Sequence, residues 1–421
     1  MRTRLSVFLS RSAVPILAAI IAPFSYADSS EGKLLSLHDK AMVAVEKSEA
    51  ELISFRHDIH RFPELAGNEK RTSAKIADKL VGLGFNVRTG VGGYGVVATV
   101  KGNDSGPLIA FRADMDAVQG DASDPVSYRS QVVGAHHICG HDMHSTIGIG
   151  IAEGLAAIKA DLPGNVMLIF QPAEEAGAGA EDMLTDDVFG DELPVAIFAL
   201  HTAPFDVGTL TVLPDGMMAG RTRIDVTLSG MGDLDLAAEE VKTVITANGN
   251  ITPDTMLLFQ TRPFVFIDLL PVARTDNTEI VVSAFVMSAG LTERQKVKKR
   301  LRHSVELVDI ADVTLSIDFS QALEGINNDP ELLELASSGI EGLAPGVRVI
   351  PSPGVIPAFS EDFGSFQKAV PGVMYLLGVD NPNLGTVGFP HSPDYVADDA
   401  AILVGTEAML AAILQVMTAE R

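Results

Sequence analysis

Six of the ten histidines in this 421-residue sequence lie in three short segments, 135–144, 200–201 and 390–392. In the first segment, Cys139 and His141 flank Gly140. Because glycine allows backbone conformations that other residues avoid, both side chains can turn toward one centre. A thiolate and an imidazole suit zinc and other late transition metals. A Cys-x-His pair alone is weak evidence of a metal site, so the neighbouring segments decide its interpretation.

Further candidate ligands come at the ends of apolar segments that predict buried strands. Glu174 and Glu175 follow the run 166–170, and His201 follows the run 195–200. In open α/β sheets, ligands bind beyond the carboxyl ends of the strands. In isolation, the glutamates could belong to a solvated loop and the histidine to the core. The convergence of several such residues on one sheet edge favours a metal site.

The elements that must position these residues alternate between strands and helices. Short apolar runs bounded by turn residues predict buried strands, at 95–100, 108–111, 166–170, 195–200 and 372–377. Helical periodicity falls at 36–84, 145–158, 330–340 and 400–417. This alternation predicts an α/β fold with a mostly parallel sheet flanked by helices.

Residues 217–322 follow a different pattern. A half-solvated strand at 223–228 is followed by a helix, two strands, a second helix and a last strand at 313–319. The order β-α-β-β-α-β is that of a ferredoxin-like unit. We therefore predict a smaller α+β domain at 217–322. It would interrupt a catalytic domain formed by residues 28–216 and 323–421.

Composition and the N-terminus restrict the partners and the compartment. A formal net charge of −24 argues against a protein that binds nucleic acid or an anionic membrane surface. Residues 1–27 combine basic residues, an apolar stretch and small residues at 25 and 27, as in a cleaved signal peptide. The apolar stretch contains two prolines and is shorter than the roughly 20 residues of a membrane span. We expect an exported protein, periplasmic or secreted, without a stable membrane span after signal removal.

Several motifs resemble those of the M20-type metallo-amidohydrolases, in the branch of aminoacylase-like enzymes, hippurate hydrolases and auxin-conjugate hydrolases. The matching segments are 56–64, 90–97, 111–117, 137–142, 170–175, 200–201, 360–363 and 390–392. They are in order and extend over most of residues 50–421. The resemblance implies a zinc-exopeptidase-like catalytic domain, and it implies that the inserted domain is a lid or dimerisation domain. A homodimer is therefore an open expectation.

Carried over position by position, the resemblance implies a two-metal site and a general base, Glu174. The implied ligands of the two divalent ions are Cys139, His141, Glu175, His201 and His391. Such a pair of ions polarises a carbonyl and lowers the pKa of a water, whose proton Glu174 would accept. Asp114 is expected to orient a ligand imidazole. The ions could be zinc, manganese, cobalt or nickel.

The expected function is hydrolysis of the amide bond of N-acyl amino acids or related small conjugates by a metal-activated water. A dipeptidase or aminopeptidase with the same metal site remains an alternative. A non-catalytic metal- or ligand-binding relative is a second alternative, and the inserted domain motivates it.

In the inserted domain, the family pattern has a glycine-histidine segment, a second histidine, an asparagine and an arginine, none of which has a clear match here. By resemblance, these residues hold the substrate carboxylate and the oxyanion, partly across a dimer interface. The insert contains only His303, within a predicted helix. Positive charge could instead come from Arg221, Arg223 or Arg274, but the sequence does not place them.

Overall fold

The computed structural model describes residues 30–419 apart from 104, 215, 257, 258, 261, 262 and 358. The predicted signal peptide, residues 1–27, lies outside the described residues. The helices are α1 (Ser30–Lys47), α2 (Glu49–Arg61), α3 (Lys70–Gly82), α4 (His141–Ile158), α5 (Gly179–Thr185), α6 (Leu234–Thr246), α7 (Leu291–Glu306), α8 (Pro330–Leu343), α9 (Gly364–Ala369) and α10 (Ala401–Thr418).

The strands form one eight-stranded sheet, one five-stranded sheet and a short two-stranded pair. They are β1 (Asn86–Val91), β2 (Gly95–Lys101), β3 (Leu108–Asp114), β4 (Val118–Gln119), β5 (Ala135–His136), β6 (Asn165–Gln171), β7 (Ala196–Asp206), β8 (Thr209–Val212), β9 (Gly220–Gly230), β10 (Val265–Leu269), β11 (Ala273–Asp276), β12 (Glu279–Ser288), β13 (Val313–Leu323), β14 (Arg348–Pro351) and β15 (Gly372–Asp380).

The larger sheet has the order β1-β2-β6-β3-β7-β15-β8-β14, and its central strands β6, β3, β7 and β15 are parallel to one another. Every residue of β3 and β6 is buried. Helices cover a parallel sheet on both faces, so its strands are apolar throughout rather than alternating. The predicted α/β class is confirmed, with antiparallel pairs toward the edges of the sheet.

Two boundaries differ from the sequence prediction. The helical region predicted from residue 36 to 84 contains three helices, because Ser48 separates the first two and the Phe62-Pro63 pair follows the second. The residue before a proline disfavours helical geometry. Strand β7 continues to Asp206, whereas the sequence predicts its end at residue 200. Since β7 remains paired with β15 through this region, His201 lies within the strand rather than after it.

Helix α4 is a buried helix of the core. Its first turn contains residues His141 to His144, which directly follow Cys139 and Gly140. It packs against α1, α2 and α10, and two of its glycines allow the close approach of α10. A Cβ at Gly150 would meet Thr406, and one at Gly154 would meet Leu410 at 2.7 Å. The close packing of α4 therefore fixes the position of His141.

Helix α10 has the length and apolar composition of a membrane span. It is the one helix among the described residues with both properties. The expectation that no stable membrane span remains after signal removal stays a prediction. Most of the helix is buried against α4 and α8, as the core helices of folded domains commonly are.

The smaller sheet is antiparallel, with the order β10-β12-β9-β13, and β11 pairs with β12. Strands β9, β10, β12 and β13 with helices α6 and α7 reproduce the predicted ferredoxin-like order. Residues Ile224, Val226 and Leu228 of β9 are buried in a core shared with α6 and α7. Because side chains alternate along a strand, Arg221 and Arg223 lie on the opposite face of this sheet.

Candidate metal centre

The five residues predicted as ligands lie together at the carboxyl ends of the central parallel strands. Ligand atoms of Cys139, His141 and His201 lie within 4.8 Å of one another, and so do those of Cys139, Glu175 and His391. Cys139 belongs to both groups. These residues would hold two ions, and the thiol of Cys139 lies within reach of the ligand atoms of both groups.

Cys139 is buried, and its Sγ lies 3.4 Å from Nε2 of His201. Burial and the charges of Glu175 and Glu174 raise the pKa of this thiol well above its ordinary value. A cation bound beside the sulfur would favour the thiolate instead. The following residue, Gly140, has φ of 91°, and a Cβ there would meet Thr202 and Tyr395 at 2.5 Å. Glycine is thus needed both for the turn and for the packing around it.

His141 is oriented by Asp116. Its Nδ1–H donates to the carbonyl of Asp116 at 2.9 Å, and the Asp116 carboxylate lies at 3.2 Å from the same atom. The other nitrogen, Nε2, lies 3.7 Å from carboxylate oxygens of both Glu174 and Glu175. Burial alone would lower the pKa of His141, but Asp114, Asp116 and Glu175 outweigh it and raise this pKa to about 10. The excess of negative charge around the ring suits a cation.

Asp114, which the sequence suggested as the orienting residue, serves a different imidazole. Its carboxylate accepts from Nδ1 of His144 at 2.6 Å, and it lies 3.8 Å from Nε2 of His141. Nε2 of His144 accepts the backbone N–H of Thr202 at 2.9 Å. Both ring nitrogens of His144 are therefore used within the protein, and this histidine acts as a positioning residue between α4 and β7.

His201 presents a neutral ring to the site. Its Nδ1–H donates to the Thr202 carbonyl at 2.8 Å, which leaves Nε2 directed toward Cys139. Burial and the neighbouring imidazole of His144 lower the pKa of His201 to about 3. Neutral imidazole is the form that binds metals.

His391 lies in a loop with φ of 63°, in the left-handed region that most side chains avoid. Its backbone N–H donates to the Ile138 carbonyl at 2.7 Å, and its ring Nε2 lies 3.4 Å from Oε1 of Glu175. Such a conformation costs on the order of 1–3 kcal/mol and tends to occur at functional sites. The contact with Ile138 connects this loop to the segment that contains Cys139.

Glu174 is nearly buried and lies beside both ligand groups and a second cluster of carboxylates. Its oxygens lie within 4.8 Å of ligand atoms of His141 and Glu175, and also of Glu361 and Asp362. Burial and then the charges of Glu361 and Asp362 raise the pKa of Glu174 well above its ordinary value. A carboxyl group with a raised pKa is suited to accepting and returning a proton near neutral pH.

The Glu174 loop is held in place by backbone contacts. The N–H of Ala173, a residue with φ of 54°, donates to Glu69 at 2.8 Å. The N–H of Glu175 donates to the Asp116 carboxylate at 3.0 Å. Asp116 thus fixes two predicted ligands at once, His141 through its ring and Glu175 through its backbone.

A buried arginine, Arg112, holds the second carboxylate cluster. Its guanidinium donates to Asp114 at 2.6 Å, to Glu361 at 2.9 Å and to Asp362 at 3.0 Å. Burial nevertheless raises the pKa of Asp362 to about 8. The sequence segments 111–117 and 360–363 contain these residues, but they indicate no role for Arg112, Glu361 or Asp362. Their only sequence signal is a charged residue inside an otherwise apolar strand.

Two residues of α2 contact Asp142, the residue that follows the predicted ligand His141. Arg56 Nε and His60 Nδ1 lie 3.1 Å and 2.9 Å from the same oxygen of Asp142, and Nε2 of His60 lies 3.0 Å from Asp124. Asp142 directly follows His141 at the start of α4. These contacts fix the first turn of the helix that carries a predicted ligand.

The residues present fit a pair of divalent cations. Among the described residues, Nε2 of His141 and Oε1 of Glu175 are buried atoms without a hydrogen-bond partner. Buried polar atoms nearly always have one. Both atoms face the thiol and imidazole groups described above, a donor set compatible with zinc, manganese, cobalt and nickel. The sequence-predicted roles of the five ligands and of Glu174 remain predictions, which this geometry supports.

A cavity of about 270 Å³ lies in front of these groups. Its walls combine four of the five candidate ligands (all but His141), the aromatic ring of Phe359 and three residues of the smaller sheet, Arg221, Met287 and Leu323. The smaller sheet thus contributes directly to the site. Its contribution comes from the face opposite to α6 and α7.

Comparisons with known proteins agree with this fold. The model of peptidase family M20/M25/M40 matches residues 110–415. An N-acetyldiaminopimelate deacetylase of Enterococcus faecalis is 28% identical over 389 residues, which cover 87% of this chain and 98% of that protein. A thermostable carboxypeptidase of Saccharolobus solfataricus is 28% identical over 386 residues, covering 88% and 96%.

Among solved structures, a dinuclear metal-binding peptidase of Bacillus subtilis from the M20 family is similar, with a TM-score of 0.74 and 26% identity. The match covers 88% of this chain and 99% of that one. The family model alone spans well over half of the sequence. The chain therefore belongs to the peptidase family M20/M25/M40.

Proposed function

We propose that this protein is a metal-dependent amidohydrolase that cleaves the amide bond of small N-acylated amino acids. The observation that carries the proposal is the position of Glu174. Its oxygens lie close to His141 and Glu175, one member of each ligand group, and the family resemblance implies that it acts as a base rather than as a ligand. This is the arrangement that a general base for a metal-activated water requires.

Two divalent ions bound here would polarise the amide carbonyl and lower the pKa of a water. Glu174 accepts the proton of that water as its oxygen attacks the carbonyl carbon. Glu174 then returns the proton to the amide nitrogen as the C–N bond breaks, which yields a carboxylic acid and an amine. Asp116 and Asp114 keep the surrounding imidazoles in their orientations during both transfers.

The size of the cavity supports a small substrate. Pockets for drug-sized ligands span about 300–1,000 Å³, and this cavity of about 270 Å³ falls just below that range. The similar deacetylase of Enterococcus faecalis is named for an N-acetylated amino acid. An N-acyl amino acid is therefore the substrate class that we favour.

Peptide cleavage is the second candidate, because a thermostable carboxypeptidase is similar over nearly the whole chain. The two activities differ in their products. Metal-loaded protein would be incubated with N-acetyl and N-benzoyl amino acids and with dipeptides, and the released amines would be identified by mass spectrometry. We expect the N-acyl amino acids to be cleaved faster. An untouched panel would refute both activities and favour a non-catalytic binding protein.

We further propose that the protein is exported and that it forms a homodimer. Export rests on the sequence of residues 1–27, and dimerisation rests on the resemblance described above. Expression of the full chain with cell fractionation would test the first proposal, with a mature N-terminus at Asp28 as the expected result. Light scattering of the purified mature protein would test the second.

A further inference from the structure

The three arginines of the inserted domain that could supply positive charge have different surroundings. Arg223 donates to the carboxylate of Asp225 at 2.8 Å on the partly exposed face of β9. Arg274 forms an exposed ion pair with Asp235. Arg221 instead lines the cavity together with Cys139 and Glu174. The structure thus separates one arginine at the site from two at the surface.

The strands on either side of β9 fix the position of Arg221. It pairs with Met287 of β12 and with Leu323 of β13, and both of these neighbours also line the cavity. The guanidinium carbon lies 4.7 Å from the centre of the Phe285 ring. At this distance the cation lies against the ring, and the planar fork of a guanidinium can bind a carboxylate through two bonds.

The charges of the cavity make this position distinctive. Among the described residues that line it, Arg221 alone is a lysine or arginine, whereas Glu174, Glu175 and Glu361 are acidic. Burial lowers the pKa of Arg221, against the opposing effect of Glu174. The group remains protonated at neutral pH because arginine's ordinary pKa lies above about 12. A permanent cation therefore faces a reaction site lined mainly by acids.

The geometry of an N-acyl amino acid fits this placement. Its carboxylate is separated from the amide nitrogen by a single carbon atom. A substrate whose amide lies next to Glu174 therefore brings its carboxylate to the wall of the same small cavity. Arg221 lies on the first strand of the inserted domain, before the region where the family pattern has its unmatched histidines, asparagine and arginine.

We propose that Arg221 binds the free carboxylate of the substrate and thereby makes the protein selective for N-acyl amino acids over their neutral amides. The proposal rests on the proposed function. It differs from an alternative role for the same side chain, the stabilisation of the oxyanion that forms on the amide carbonyl. The two roles predict different kinetics.

The first test compares N-acetyl-L-leucine with its neutral counterpart N-acetyl-L-leucinamide, using metal-loaded protein and the release of leucine or leucinamide. In Arg221→Gln we expect KM for the acid to rise about tenfold or more with little change in kcat, because one charge-assisted contact is lost. KM for the amide should not change. Arg223→Gln is the matched control, since it removes an arginine from the same face of the same strand, and it should behave as the wild type.

Two kinetic results would overturn the assignment. One is an equal rise in KM for the acid and the amide. The other is a fall in kcat for both compounds at unchanged KM, which would indicate that Arg221 stabilises the oxyanion.

A binding experiment separates this proposal from the proposed function. Calorimetry on metal-loaded Glu174→Gln protein should show the acid binding about tenfold or more tightly than the amide, and Glu174→Gln/Arg221→Gln should lose that difference. If no compound is hydrolysed but this Arg221-dependent preference is seen, the proposed function fails and the Arg221 assignment stands. If hydrolysis is seen but the preference survives without Arg221, only the assignment fails. Absence of binding by both compounds would overturn it as well.

Discussion

Asp116 fixes the ring of His141 through the 2.9 Å hydrogen bond between its carbonyl oxygen and Nδ1 of the imidazole. The same residue's carboxylate accepts the backbone N–H of Glu175 at 3.0 Å. One aspartate therefore aligns two predicted ligands that come from different elements, the start of α4 and the loop after β6. Mutation of residues that orient metal ligands in this way typically lowers metal affinity or activity by about 10- to 100-fold.

Replacing Asp116 by alanine keeps the backbone carbonyl that holds His141 but removes the carboxylate. That carboxylate lies 3.2 Å from Nδ1 of His141 and accepts the N–H of Glu175, so its loss should weaken metal binding although Asp116 is not a predicted ligand. In Asp116→Ala we expect the affinity for a divalent metal to fall by about 10- to 100-fold. Competition with a chelator of known affinity would measure the change. Asp225→Ala, which removes an aspartate that pairs with Arg223 in the smaller sheet, is the control and should retain wild-type affinity. Unchanged affinity in Asp116→Ala would contradict the assigned role.

Glu174 and Glu175 are adjacent in sequence but should differ when each is changed to glutamine. Glu174→Gln should reduce turnover by at least about 100-fold while bound metal stays near the wild-type level, because a general base is lost and no ligand is. Glu175→Gln should lose metal instead, since its carboxylate lies in the group with Cys139 and His391. Elemental analysis and assays on the same samples would decide. Metal loss in Glu174→Gln would mean that the roles are reversed.

Much of this site could be predicted from the sequence, because the ligand types follow apolar strands whose carboxyl ends meet at one edge. The sequence favoured Asp114 as the residue that orients a ligand imidazole, whereas Asp116 is the partner of His141. Asp114 ends the buried strand β3 and Asp116 follows it by two residues, and only the packing of α4 decides which one reaches the ring. Likewise, Arg221 and Arg223 share one face of β9, and only the position of the smaller sheet brings the first into the cavity.

Other elements left no pattern to detect. All four residues of β11 are exposed, so this strand has no apolar alternation that could have predicted it. Arg112 interrupts an apolar strand and is fully buried. It donates hydrogen bonds to carboxylates that lie about 250 positions later in the chain. Such a network depends on long-range packing, which local periodicity does not report.

Cys139 belongs to both ligand groups, whereas His201 and His391 belong to one each. Cys139→Ala should therefore weaken the binding of both ions, and the metal content after dialysis should fall from about two ions per chain to well below one. His201→Ala and His391→Ala should each retain about one ion, because the other group keeps all three of its donors. Mass spectrometry of the metals in dialysed samples would measure these stoichiometries. A full complement of ions in Cys139→Ala would contradict a shared thiolate.

His60 should make the stability of the metal-free protein depend on pH. Burial and the charge of Arg56 would lower the pKa of His60. The carboxylates of Asp142 and Asp124 outweigh both effects and raise this pKa to about 9. The aromatic rings beside it belong to Tyr128 and His137. A folded-state pKa above the unfolded value of about 6.5 means that protonation favours the folded state. This contribution is complete below pH 6.5 and is lost as the pH rises through about 9.

The comparison of the wild type with His60→Gln isolates this contribution. We expect the wild type to exceed the variant in free energy of unfolding by on the order of 3 kcal/mol near pH 6, and the excess should shrink toward pH 10. Urea unfolding in the presence of a chelator would measure both proteins across this range. His303→Gln provides a control, because His303 is exposed on α7 and its removal should leave the pH profile unchanged. A difference between the wild type and His60→Gln that stays constant with pH would show that His60 is not charged in the folded protein.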